Sequence, residues 1–236
     1  MGNCNGAKQV SGNHNFSAVR ALIFDLDGTL IDSKLDLALS VNAARSHMGL
    51  APLPHGEIFG YVGQGAPMLI RRSLGELGTD ANVERALKYF LEYYRDHMLD
   101  NTVPYPGVPG ALEELGRRAQ QDGHPQMAVL TNKPVRFSKM ILEGLGLSRY
   151  FQYVYGGNSF ERKKPDPVGV EVLLRDFGRQ PKEALMVGDS EVDIQTARNA
   201  GIWACGVTYG LGSHRLAEYP PDLLLENLAD LPAHLR

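Results

Sequence analysis

Ala21-Leu-Ile-Phe24, followed by Asp25-Leu-Asp27-Gly28-Thr29, is the stretch that decides how this chain folds. The apolar run predicts a buried strand, and residues i and i+2 of a strand leave by the same face at ~3.3 Å of rise per residue. If the backbone stays extended to Asp27, both carboxylates emerge together and Gly28 turns the chain beneath them. Such a pair repels itself, and a divalent cation, a shared proton or water must compensate. A metal-dependent reaction in which one aspartate attacks and the other moves a proton would use this arrangement directly. A strand ending in an acidic turn would show the same residues, because Asp and Gly are ordinary turn formers. The rest of the chain bears on the choice.

Three further segments share the pattern: Met127–Leu130 into Thr131-Asn132, Ala184–Val187 into Gly188-Asp189, and Ile202–Val207 into Thr208. Helical patterns lie between them, which is the alternation of an α/β fold with a Rossmann-like parallel sheet. Ligands of such sheets bind beyond the carboxyl ends of the strands, where Asp25, Thr131 and Asp189 all fall. A crossover between parallel strands needs only about a dozen residues, and the interval from Phe24 to Met127 is far longer. Its pattern is helical, with one stripe at Leu37, Val41, Ala44 and Met48 and another at Val83, Leu87, Phe90, Tyr94 and Met98. The expectation is an all-helical domain over residues 33–103, inserted between core segments 18–32 and 104–236. Two linkers join it, the second being Pro104-Tyr-Pro-Gly-Val-Pro-Gly110. An insertion beside the catalytic edge is placed to act as a lid; a static helical subdomain is the alternative.

Composition narrows the class. A length of 236 residues, 43% hydrophobic and 22% charged, suits a soluble globular protein. The net charge of −3 argues against nucleic acid as a partner. Cys4 and Cys205 form no CxxC pair, so a disulfide framework or zinc site is not expected and a reducing cytoplasm fits. No apolar run approaches the ~18 residues of a membrane helix. Residues 1–17, rich in Asn, Gly and Ser, read as a mobile arm or an expression remnant.

Asn132-Lys133-Pro134 predicts a helix start with Asn132 as cap and proline in the first turn. Free N–H groups there favour an anion beside the Thr131 hydroxyl. Lys163-Lys-Pro-Asp166-Pro167 predicts a second start, with Asp166 as cap, Pro167 in the first helical position and the helix ending at Gly178. A lysine just ahead of that terminus puts a cation near the same anion site. In Gly188-Asp189-Ser190-Glu-Val-Asp193, Asp189 ends a buried strand and needs a cation or donors. With Asp25 and Asp27 it makes the oxygen-rich shell that Mg²⁺ prefers.

Taken in order, Asp25-Leu-Asp27-Gly-Thr-Leu-Ile-Asp-Ser33, Leu130-Thr-Asn-Lys133, Lys163-Lys-Pro-Asp166 and Gly188-Asp-Ser-Glu-Val-Asp193 resemble the four motifs of the haloacid-dehalogenase superfamily. The resemblance spans Val19 to Leu231, and the insertion is similar to that superfamily's helical C1 cap. Thr-Asn-Lys133, Tyr105-Pro-Gly-Val108 and Val62-Gly-Gln-Gly65 are similar to phosphoglycolate phosphatases. The resemblance implies that Asp25 attacks phosphorus and forms an aspartyl phosphate, and that Asp27 serves as acid and then base. It further implies that Thr131, the Asn132 N–H and Lys164 bind the phosphoryl group. Mg²⁺ would be held by Asp25, the Asp27 carbonyl and Asp189, with Gly28, Ser190 and Asp193 in support.

Three rivals remain open. A dehalogenase of the superfamily would lack the second aspartate. A phosphomutase would share every motif and pass the phosphoryl group to a sugar hydroxyl. A noncatalytic phosphate- or Mg²⁺-binding module would leave the full acid set unexplained. For substrate contacts from the insertion, the candidates are Gly63, Gln64 and Gly65 as a closing loop, and Arg71 or Arg72 as partner for a carboxylate. Tyr209-Gly210-Leu-Gly212 departs from the aromatic–glycine loop expected of the subfamily. The expected partner is a small phosphorylated metabolite, with the chain a monomer or homodimer.

Overall fold

In the computed structural model, which describes residues 15–235, strand β1 (Ala21–Phe24) lies inside a six-stranded parallel sheet. Residues 1–14, and with them Cys4 and most of the expected arm, fall outside the described residues. After β1 come β2 (Ile31–Asp32), α1 (Lys34–His47), α2 (His55–Phe59), α3 (Ala66–Leu74), α4 (Asp80–His97) and β3 (Val103–Pro104). The chain continues through α5 (Val108–Asp122), β4 (Gln126–Leu130), α6 (Val135–Gly144), β5 (Tyr153–Tyr155) and α7 (Val168–Phe177). It closes with β6 (Ala184–Gly188), α8 (Glu191–Ala200), β7 (Trp203–Val207), β8 (Leu223–Leu225) and α9 (Leu231–His234).

The sheet order is β5-β4-β1-β6-β7-β8. From β1 the chain goes out one way to β4 and β5, then returns to β6 on the other flank. That reversal opens a crevice at the carboxyl ends of β1, β4 and β6. Register brings the three ends level, with Phe24 opposite both Val129 and Val187. Leu22 and Phe24 pack with Leu112 and Leu115 of α5, whereas Ala21 and Ile23 pack with Val170 and Leu173 of α7. Both faces of β1 are therefore buried, which is why it reads as an unbroken apolar run.

The long interval after β1 holds α1 to α4. Leu37, Val41 and Ala44 of α1 are buried, as are Val83, Phe90 and Tyr94 of α4 and Met98 just past it; Leu87 is half-buried. The two connections pair with each other as an antiparallel ribbon, Ile31 opposite Pro104 and Asp32 opposite Val103. Buried Asp36 fastens them further. Its carboxylate accepts from the Asn101 and Thr102 N–H groups, the Asn101 amide and the Thr102 hydroxyl, at 2.7–3.0 Å. The second linker is shorter than expected. Val108-Pro-Gly110 already belongs to α5: Pro109 sits in the first turn, where a helix has no N–H to lose, and Gly107 stands at the N-cap in the left-handed conformation. No helix among the described residues is long and apolar enough to cross a membrane.

Candidate active site

Three buried acids meet in the crevice. Asp25 follows β1, with its N–H still donating to Val187 O at 2.9 Å. Asp189 follows β6, and Asp193 lies in the first turn of α8, where its Oδ2 accepts from the Ser190 N–H and hydroxyl. One oxygen from each of Asp25, Asp189 and Asp193 lies within 4.8 Å of the others. Glycine makes this proximity possible. At Gly28, with φ +89°, an added Cβ would collide with the Asp189 carboxylate, and at Gly188 it would collide with Asp193.

Among the described residues a single cation, Lys164, serves the cluster. Lys164 Nζ lies 2.8 Å from Asp25 Oδ1 and 2.6 Å from Asp193 Oδ1, with 3% of its side chain exposed. Burial works against its charge, but the two carboxylates outweigh burial and hold the lysine above its ordinary range. Among the described residues the donors to Asp189 are neutral, the Thr29 hydroxyl at 3.2 Å and the Gly212 N–H at 2.8 Å. Burial, then the charges of Asp193 and Asp25, push Asp189 up to about 8. Burial likewise raises Asp25 to about 6 despite Lys164. Three acids sharing one ammonium out of water need further positive charge, from protons or from a cation. Oxygen donors of that kind fit a divalent cation such as Mg²⁺.

Asp27, expected to share that shell with Asp25, stands apart from the cluster, because β1 ends at Phe24 and the backbone bends at Leu26 instead of staying extended. Its carboxylate accepts from Lys133 Nζ at 2.8 and 3.0 Å and from the Ser33 hydroxyl at 2.5 Å. Thr131 and Asn132 follow β4 and are buried, and with Lys133 they line a narrow cavity of about 50 Å³ next to Asp25 and Asp27. Its far wall is apolar, built by Leu69, Phe90 and Phe137. A second cavity of about 100 Å³ also reaches Asp25 and Asp27, and has Arg72, Asp189, Ser190 and Arg215 in its wall.

The Gly63-Gln64-Gly65 loop is latched to the core. Gly63 O accepts from Asn132 Nδ2 at 3.1 Å, and Gln64 O from Lys163 Nζ at 2.6 Å. Arg72 is exposed and donates to Gln64 Oε1 at 2.8 Å. Arg71 points elsewhere, tied to Gly78 O and Asp80 within the helical layer. Two helix starts differ from expectation. Asn132 does not cap α6; Pro134 stands at the cap, and the first N–H, that of Val135, donates to Asn158. A residue before proline avoids the helical region, and the Asn132 amide is committed to Gly63 O and Lys164 O. Pro167 likewise occupies the cap rather than the first turn of α7, while Asp166 still accepts from the Val168 N–H at 3.0 Å.

Sequence reasoning assigned no role to Lys133, Ser33, Thr29 or the Gly212 N–H. Lys133 and Ser33 both belong to quoted motifs, and Thr29 adjoins Gly28. A backbone N–H carries no side-chain signal at all.

Residues 22–207 match the family described as haloacid dehalogenase-like hydrolase. Phosphoglycolate phosphatase 1 of Pseudomonas aeruginosa is 38% identical over 219 residues, covering 90% of this chain and 78% of its own. The phosphoglycolate phosphatase of Chromobacterium violaceum is 38% identical over 221 residues, covering 92% and 96%. A crystal structure described as a predicted phosphoglycolate phosphatase from Haemophilus somnus superposes with a TM-score of 0.86 at 32% identity, over 93% of this chain and 99% of that one. The chain belongs to the haloacid dehalogenase-like hydrolase family and is a phosphatase.

Proposed function

We propose that this chain hydrolyses small phosphate monoesters through an aspartyl phosphate on Asp25, with Mg²⁺ as cofactor and 2-phosphoglycolate as substrate. The observation that carries the reading is Lys164 bridging Asp25 and Asp193 beside Asp189, so that a nucleophile, a cation and spare oxygen ligands share one crevice. An Asp25 oxygen attacks phosphorus as the ester bond breaks, and Asp27 gives the departing oxygen its proton. Water then attacks the aspartyl phosphate while Asp27 takes its proton, releasing phosphate and restoring Asp25. Thr131 and the Asn132 N–H bind phosphoryl oxygens, and Lys164 balances charge on the phosphate and on Asp25.

Bringing a carboxylate to ~4 Å from one phosphate charge costs about 4 kcal/mol at an effective dielectric of 20. Asp25, Asp189 and the Asp27 carbonyl would hold Mg²⁺, with Ser190 and Asp193 in support, and the ion would add positive charge to Lys164. Positioning and charge compensation are what phosphoryl transfer mainly needs.

For the substrate, Arg72 in the second cavity is the cation proposed to receive the glycolate carboxylate. Residues 33–103 act as the cap, with Gly63, Gln64 and Gly65 closing over the ester. The relatives' names support this substrate, and the buried thiol of Cys205 accords with a cytoplasmic location. The test is phosphate release from a panel of small esters with Mg²⁺ and with chelator. The reading expects Mg²⁺-dependent release, led by 2-phosphoglycolate, and none from Asp25→Asn. Absence of release from every ester, generic aryl phosphates included, would defeat it.

A further inference from the structure

Proton transfer through Asp27 needs its carboxylate held at one angle to the departing oxygen, and a short side chain in the turn after β1 does not ensure that alone. Lys133 Nζ meets both Asp27 oxygens, at 2.8 and 3.0 Å, while the Ser33 hydroxyl meets Oδ1. A lysine in a Thr-Asn-Lys turn would ordinarily extend into water. Here it is 6% exposed and lies over the Tyr94 ring, 4.7 Å from the centroid. Its own N–H is tied to Thr131 Oγ1 at 3.2 Å. The lysine is thus fixed at both ends, by the β4 turn and by a ring of α4. Ser33, the second holder, is the N-cap residue of α1.

We infer that Lys133 is a positioning residue that, with Ser33, aims the Asp27 carboxylate at the leaving oxygen. The inference rests on the acid–base role proposed for Asp27. Lys133 transfers no proton itself. In the first step the proton moves from Asp27 to the leaving oxygen as the P–O bond breaks, and in the second from water to Asp27 as the aspartyl phosphate is cleaved.

Leaving groups provide a readout that mere structural damage would not move. A simple alkyl phosphate needs the proton at the departing oxygen, whereas p-nitrophenyl phosphate hardly does. Lys133→Met, assayed with Mg²⁺ on both esters, is expected to lose about 100-fold in kcat/KM on the alkyl ester and less than about 10-fold on the aryl ester. The aryl ester should also give a burst of nitrophenolate, because the second step still requires an aimed Asp27. Equal losses on both esters, or no loss, would overturn the inference. Should Lys133→Met fail to fold, Ser33→Ala decides: the same contrast supports the assignment, and its absence ends it. If the wild-type chain releases phosphate from neither ester, the phosphatase mechanism itself fails and takes this inference with it. A wild-type chain active on both, with no contrast in the variants, sinks the Lys133 assignment alone.

Discussion

Replacing Lys164 by methionine tests the electrostatics of the crevice at its strongest point. The ammonium lies 2.8 Å from Asp25 and 2.6 Å from Asp193 with 3% of its side chain exposed. At an effective dielectric of 20 each attraction amounts to about 6 kcal/mol. Desolvation of the ions offsets much of this, and stripping one partner from a buried pair typically costs about 3–5 kcal/mol net. Methionine keeps most of the volume, so the loss is one of charge rather than packing. For a chain of this size, each kcal/mol moves the thermal midpoint by about 2–4 °C, which puts the metal-free variant about 10 °C below wild type. Asp25, Asp189 and Asp193 would then lack any ammonium, so added Mg²⁺ should recover more of the midpoint in Lys164→Met than it adds to wild type. Thermal unfolding of both proteins in chelator and in excess Mg²⁺ reads both quantities. A metal-free midpoint within about 2 °C of wild type, or an equal Mg²⁺ shift in both proteins, would refute the reasoning.

Gly28→Ala should lose phosphate release almost completely and about 2 kcal/mol of stability, through strain at φ +89° and collision with Asp189. Gly49→Ala, at φ +75° with open space around it, isolates the strain and should leave kcat/KM unchanged; equal kinetic defects in both would reject the collision argument. Asp36→Asn keeps one oxygen for the Asn101 and Thr102 N–H groups but gives up the charge and turns its NH2 toward the Asn101 amide, and should cost about 1–3 kcal/mol in denaturant unfolding; a loss below about 0.5 kcal/mol would mean that the linker staple is not stabilising. Burial raises Asp25 to about 6 and Asp189 to about 8, so without metal the folded chain binds more protons than the unfolded one between about pH 4 and 8. Metal-free stability should therefore fall as pH rises through that window. The Mg²⁺-induced rise in midpoint should grow over the same range, because the ion competes with those protons; an equal rise at pH 5 and pH 8 would count against these acids as its ligands.

What could be read in advance, and what could not, divides along one physical line. β1, β4, β6 and β7 were legible because a strand buried on both faces must be apolar throughout, and the polar residue that ends it marks the sheet edge. β5 and β8 were not, since Tyr153–Tyr155 is half-buried and Leu223–Leu225 exposes Leu224, three residues each at the sheet's margins. Two acids of the cluster were legible for the same reason as the strands, since Asp25 and Asp189 each follow one directly; Asp193 showed only as a supporting residue, and Asp27, expected in the shell, turns to Lys133 and Ser33 instead. Asp36 shows the opposite case. As an acid in the first turn of α1 it suits the helix dipole and calls for no further explanation, yet its partners are Asn101 and Thr102, on the far side of the helical insertion. Lys133 is harder still, because what draws it inward is Asp27 before that insertion and Tyr94 inside it. Such residues acquire their chemistry from neighbours that only chain closure delivers. A local pattern can therefore name the strand ends where the reaction is proposed to occur, while the groups that would aim it appear only once distant segments have met.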